Sequence, residues 1–184
     1  MTPDWPIDRD VECAKCGYNV RTLAVTGRCT ECGFPVLRSF IGHEAGVKRG
    51  HPPDAQRVTK TALHVLARLL GRNRDAIGFV VLAQRHAVNK AMGDLPRLLP
   101  PPRVSVPAAA LCRALAEVVL DHYGNRDDAL ATLQFWRVGR GEDVGQIVAG
   151  LVEAGLMTAG PEDSPGDFAG LGAIADLFPP PEPS

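Results

Sequence analysis

The chain is 184 residues long, 45% hydrophobic and 22% charged, with a formal net charge of −1. That is enough apolar content for one ordinary domain and a small one, and no apolar run approaches the roughly 18 residues of a membrane helix, so no membrane partner is expected. The near-zero total hides a division, because residues 1–103 hold 16 Lys and Arg against 9 Asp and Glu (+7) while residues 104–184 hold 4 against 12 (−8).

Residues 1–10, with Pro3, Pro6 and several Asp, read as a disordered lead-in. Residues 11–37 then present two knuckles, Cys13-Ala14-Lys15-Cys16-Gly17-Tyr18 and Cys29-Thr30-Glu31-Cys32-Gly33-Phe34. In each, a tight turn brings two sulfurs to one point, and the glycine after the second cysteine permits the left-handed backbone that aims amides at the thiolates. Cys13, Cys16, Cys29 and Cys32 are therefore the expected ligands of one tetrahedral four-sulfur metal site. The segment between them, residues 17–28, can supply a short β-hairpin from Tyr18, Val20, Leu23 and Val25, with Thr26-Gly27 as a turn signal. Disulfides are the competing reading. Met1-Thr2-Pro3-Asp4-Trp5 contains no apolar run of the kind a signal peptide needs, so a reducing cytoplasm is expected, where thiols stay reduced.

These knuckles resemble zinc ribbons and, more loosely, rubredoxins, in which similar knuckles hold iron. A rubredoxin has a longer excursion between its knuckles and an aromatic core of its own, which twelve residues do not provide. The resemblance thus implies a structural zinc ion, with an iron-based electron carrier as the lesser alternative. A zinc ion closed by four thiolates has no open coordination position, so these cysteines are expected to hold structure and not to catalyse. Four thiolates and one zinc ion lower the charge of the first half by 2, to about +5.

Residues 38–53, rich in Gly and His and ending in Pro52-Pro53, read as a flexible linker, with His43 and His51 as solvated histidines in preference to additional metal ligands. A mainly α domain of about five helices is expected over residues 54–178, followed by a tail, 179–184. Its first helix runs from Asp54 as N-cap to Gly71 as stop, with Val58, Ala62, Val65, Leu66 and Leu69 on one face. The opposite face carries Arg57, Lys60, His64 and Arg68, a candidate contact for nucleic acid or an acidic partner, or else an ordinary solvated face.

A second helix, about Asp75 to Met92, contains the run Phe79-Val80-Val81-Leu82-Ala83, which is apolar enough to form the centre of the core, with His86 at the core edge. Five prolines in residues 94–107, among them Pro100-Pro101-Pro102, predict an extended connector. The third helix, about Pro107 to Tyr123, places Leu111, Cys112, Leu115, Val118, Val119 and His122 on one face. Cys112 and His122 are separated by about 15 Å of helix and cannot form a dyad, so Cys112 reads as a small buried hydrophobe. A shorter helix follows from Asp127 to Trp136, then one from about Glu142 to Ala154 stopped by Gly155, and Ser164-Pro165 has the layout of a further helix start.

Across residues 136–168 a second resemblance appears. Trp136, Asp143-Val144-Gly145-Gln146-Ile147-Val148, Leu151-Val152-Glu153-Ala154-Gly155-Leu156, Asp163-Ser164 and Asp167-Phe168 keep the order and spacing of the Minf family of uncharacterised bacterial proteins. The likeness covers roughly residues 75–178, with Ala76, Phe79-Val80 and Tyr123-Gly124 matching further positions. Ile77 stands where the family has an aromatic, and Ser105 where it has a His, so any chemistry those residues did is absent here. The matching residues are apolar, glycine or helix-capping, and imply fold more than activity.

No nucleophile–base pair, open metal site or phosphate loop is visible, so catalytic residues are expected to be none. Two readings remain, each a non-enzymatic interaction protein. In one, the ribbon and basic stripe engage nucleic acid while the acidic half holds a protein partner. In the other, the chain is a protein–protein scaffold without nucleic acid.

Overall fold

The structure is a computed structural model describing residues 5–47, 55–93, 106–157 and 165–178. Of the described residues, 62% are helical. The expectations for residues 1–4, His51, Pro100-Pro101-Pro102, Ser164 and the tail 179–184 lie outside them. Two compact units emerge: residues 1–74 with 150–158, and residues 75–149 with 159–184.

The first unit is built on the two knuckles. Around them the backbone pairs through isolated antiparallel bridges, Pro6 with Ala24, Glu12 with Asn19 and Arg28 with Pro35, and not through the regular hairpin predicted over residues 17–28. The reason is that residues 20–25 pair across to the segment before the first knuckle: Val20 N–H donates to the Val11 carbonyl, Thr22 N–H to that of Ile7 and Val25 N–H to that of Trp5. Val20 and Val25 are nevertheless fully buried, while Tyr18 is 43% exposed. Residues 5–10 are not a loose lead-in: Ile7 is 2% exposed, its amide donates to the Leu23 carbonyl at 2.9 Å, and Val25 N–H donates to the Trp5 carbonyl at 3.0 Å.

The start of the predicted linker is also ordered. Helix α1 spans Val36–Glu44, entered directly from Pro35, and buries Val36, Leu37, Phe40 and Ile41. Helix α2, Ala55–Leu70, packs against α1 and buries Ala62, Val65, Leu66 and Leu69. It therefore belongs with the knuckles and not with the helices that follow it. Arg38 of α1 donates to the Glu153 and Val152 carbonyls at 2.9 and 3.1 Å. Those carbonyls end helix α6, and a cation there satisfies acceptors that have no partner within the helix.

The second unit contains α3 (Arg74–Met92), α4 (Ala108–Tyr123), α5 (Arg126–Phe135), most of α6 (Gly141–Glu153), α7 (Pro165–Ala169) and a 3-10 turn at Ile174–Leu177. Helix α4 stops at Gly124, whose φ of 74° is left-handed, and α5 begins at Asn125, whose side chain accepts from Asp128 N–H at 2.8 Å. Helix α4 packs on α5, α7 and the 3-10 turn, burying Leu111, Cys112, Leu115 and Val119. The run at Phe79–Ala83 is only partly central, since Val80 and Ala83 are fully buried but Leu82 is 47% exposed. Phe79 instead sits in an aromatic group with His122, Tyr123 and Trp136, at centroid distances of 5.1, 6.3 and 5.0 Å.

His86 marks the α3–α4 contact. Its Nε2 lies 2.9 Å from Glu117 Oε2, and Lys90 Nζ reaches Oε1 of the same carboxylate at 2.9 Å. Lys90, opposed in part by burial and aided by His86, holds the Glu117 carboxyl below its ordinary value of 4.5. A depressed carboxyl stabilises the fold above its unfolded value, and that contribution is lost as the pH falls through the folded value. Glu117→Gln should accordingly lower the melting temperature at pH 7 by a few degrees at most, and the difference should shrink as the pH falls below 4.5, as thermal scans across that range would show.

Candidate metal centre and adjoining cationic groove

The two knuckles are copies of one another in backbone geometry. Cys13 N–H donates to the Tyr18 carbonyl at 2.8 Å and Cys29 N–H to the Phe34 carbonyl at 2.9 Å. Gly17 N–H returns to the Cys13 carbonyl at 2.9 Å and Gly33 N–H to the Cys29 carbonyl at 2.8 Å. Both turns require a left-handed residue after the second cysteine, and Gly17 and Gly33 supply it with φ of 81° and 71°. Ser39 of α1, 3% exposed, accepts from Ala14 N–H at 3.1 Å and so fixes the first knuckle against the helix.

The result is convergence of four sulfurs. Cys13, Cys16, Cys29 and Cys32 place their Sγ atoms within 4.8 Å of one another. The Cys13–Cys32 and Cys16–Cys29 separations are 3.6 and 3.7 Å. Four sulfurs at about 2.3 Å from one tetrahedral ion stand about 3.8 Å apart, so the donor set and its spacing suit a metal ion, zinc being the typical occupant.

The electrostatics agree. Burial works against ionising Cys13, yet the Cys16 and Lys15 amides and the neighbouring thiols hold its pKa down to about 6. Cys16 has the opposite balance: the Tyr18 amide favours its thiolate, but burial and the thiols of Cys32, Cys29 and Cys13 push it up to about 12. Four thiols this close share protons, and the later ones ionise only when a cation offsets the accumulated charge.

His43, in the last turn of α1, is exposed and stands outside the sulfur cluster. Cys112 lies in the second unit at 0% exposure, where burial pushes its thiol up to about 12. It is inert packing, as its helix position implies.

Beside the knuckles, the polar face of α2 lines a groove. Arg57, Lys60, His64 and Arg68 are all exposed, as their spacing predicts, and all four contribute to one concavity of about 510 Å³. Its other wall carries Trp5, Arg9, Phe40 and Glu44. Arg68 lies over the Trp5 ring at 5.4 Å from the centroid. Among the described residues the one acid on the wall is Glu44, met by Arg9 at 3.2 Å. Among the described residues, Lys60, His64 and Arg68 have no carboxylate partner.

The spacing along α2 reveals Arg57, Lys60, His64 and Arg68 but not Trp5 and Arg9. Their place in the groove depends on pairing between residues 5–7 and 22–25, a contact between segments with no common local pattern.

No family model, no curated protein and no solved structure matches the chain. The likeness of residues 75–178 to the Minf family thus rests on its motif alone, and the residues carrying that motif are engaged in packing. Trp136, Val144, Ile147, Val148 and Phe168 are all at most 5% exposed, and Asp143 Oδ2 accepts from Arg140 N–H at 3.0 Å to cap α6.

Proposed function

We propose that this protein is a non-enzymatic nucleic-acid-binding adapter of the cytoplasm, whose first unit is a small ribbon folded on a structural zinc ion. Cys13, Cys16, Cys29 and Cys32 hold the ion, which closes both knuckles and leaves no coordination position for substrate. The binding surface is the groove formed by α2, α1 and the segment at Trp5–Arg9.

One observation carries this reading. Lys60, His64 and Arg68 are brought to one concavity with Arg9 and Arg57, and among the described residues Arg9 already offsets the single acid on the wall. A solvated polar face ordinarily mixes both signs of charge, whereas clustered cations with little compensation attract a polyanion. The acidic second half has a complementary role, keeping the chain from binding anions over its whole surface.

The test is equilibrium binding of the zinc-loaded full chain to labelled DNA and RNA in a salt series. Removing the ribbon is not a clean comparison, because α2 packs with α1 in the same unit. With about four phosphate contacts, affinity should fall about 50- to 150-fold between 50 and 200 mM salt. Absence of binding at low salt would reject the reading and leave a protein–protein scaffold.

A further inference from the structure

From the shape and composition of the groove, we infer that it accepts an unpaired nucleotide of a single-stranded nucleic acid, its base against Trp5 and its phosphates on Lys60, His64 and Arg68. This rests on the nucleic-acid reading of the same groove and adds the form of nucleic acid that it takes.

Duplex DNA is read by an element that protrudes into a groove of the duplex. Here the relation is reversed, because the basic stripe of α2 lines a concavity walled by α1 and the Trp5–Arg9 segment. A volume of about 510 Å³ lies within the range of roughly 300–1,000 Å³ typical of small-molecule sites, which suits one nucleotide and not a double helix.

The lining has the two chemistries a nucleotide needs. Cations alone would suffice for inorganic phosphate or an acidic peptide. This wall also offers Trp5, Phe40 and the buried Val65, so the ligand that satisfies all of it has a flat apolar face as well as negative charge. Unpaired bases stack on aromatic rings and on guanidinium planes, and Arg68, over the Trp5 ring at 5.4 Å from its centroid, places one of each in the groove.

Trp5 is also held in place. Its carbonyl accepts from Val25 N–H at 3.0 Å, and the following Pro6 bridges to Ala24. The backbone that carries the stacking residue is thereby fixed to the knuckle framework, so main-chain ordering is not required when ligand binds, a saving in conformational entropy.

The experiment compares zinc-loaded full-length protein, by fluorescence anisotropy at one low salt concentration, against four probes. They are a single-stranded oligothymidine and an oligouridine of about ten nucleotides, a DNA duplex of the same length, and a polyglutamate peptide. The single strands should bind about tenfold or more tightly than the duplex. Trp5→Ala should weaken single-strand binding by about 5- to 150-fold, with Trp5→Phe retaining most of the affinity. Zinc content reports whether the Trp5→Ala chain remains folded. If it does not, Arg68→Gln, at an exposed helix position, should narrow the preference for single strands.

Equal or tighter binding of the duplex would overturn the inference while leaving the nucleic-acid reading intact, as would single-strand affinity indifferent to both Trp5 and Arg68. Binding of polyglutamate alone, or of none of the probes, would overturn both.

Discussion

Replacing Cys29 with serine is expected to cost the protein its bound zinc and, with it, the fold of residues 5–47. Cys13 and Cys29 are 0% and 2% exposed and each opens a knuckle whose turn closes on its own carbonyl. Apart from α1, this segment contains isolated bridges and no regular element, so its small core of Ile7, Val11, Val20 and Val25 and an ion held by the four sulfurs would together keep the two knuckles in place. Metal-binding energy in such a site is folding energy, on the order of 10 kcal/mol, which is comparable with the whole stability of an ordinary domain. Zinc stoichiometry and limited proteolysis check this together: the Cys29→Ser chain should retain no zinc and be cut within residues 5–47. Cys112→Ala should retain one zinc per chain, because Cys112 is packing in the other unit. Zinc affinity should also fall as the pH drops. The bound form requires Cys16 deprotonated, its thiol is pushed up to about 12, and protons therefore compete with the ion.

The second large effect falls in the other unit, which should respond without losing metal. Phe168 of α7 is 1% exposed and sits against the start of α6. A Cβ on Gly145 would lie 2.8 Å from Phe168 Cβ, and one on Gly141 would meet the Phe168 carbonyl oxygen and approach Leu171 Cβ at 2.9 Å. The two glycines are thus the space into which Phe168 and its turn fit. Phe168→Ala should destabilise the second unit by about 3–5 kcal/mol, from lost burial and the cavity left behind. Gly145→Val should be comparably damaging for the opposite reason, since the added atoms enter space already filled. Chemical denaturation followed by far-ultraviolet circular dichroism would read both, with zinc content unchanged in each.

This packing explains why the motif across residues 136–168 was conspicuous in the sequence yet silent about chemistry. Gly145 and Phe168 have their spacing dictated by the fit of α6 against α7, Ile147 is fully buried, and Asp143 caps α6 at Arg140. The helices of the second unit were legible for related local reasons: apolar periodicity, Gly124 and Gly155 as stops, and acidic residues at the starts of α5 and α6. The four-cysteine cluster was legible because the knuckle is a local device, six residues that need only themselves to turn.

What the sequence hid depends on distant contacts or on short signals. Helix α1 does carry an apolar face, Val36, Leu37, Phe40 and Ile41, but over nine residues and beside Gly42, Gly46 and two histidines it reads as linker. The Trp5–Arg9 segment looked disordered because its order comes from residues 22–25 across a gap that no periodicity spans. The same gap concealed the groove: α2 displays its cations in the sequence, while the aromatic wall that makes them a site arrives from elsewhere in the chain.

The most direct test of the account is the slope of binding affinity against salt for a single-stranded oligonucleotide, in the full zinc-loaded chain and in a Lys60→Ala, His64→Ala, Arg68→Ala variant. All three positions are exposed, so the variant should keep its zinc and its helix content. A steep slope is expected in the parent chain, becoming shallower by about one to two when the three side chains are removed, since each phosphate contact made by Lys60 or Arg68 contributes about 0.7 on a single strand. An unchanged slope and affinity in the variant, or no binding by the parent at low salt, would contradict it.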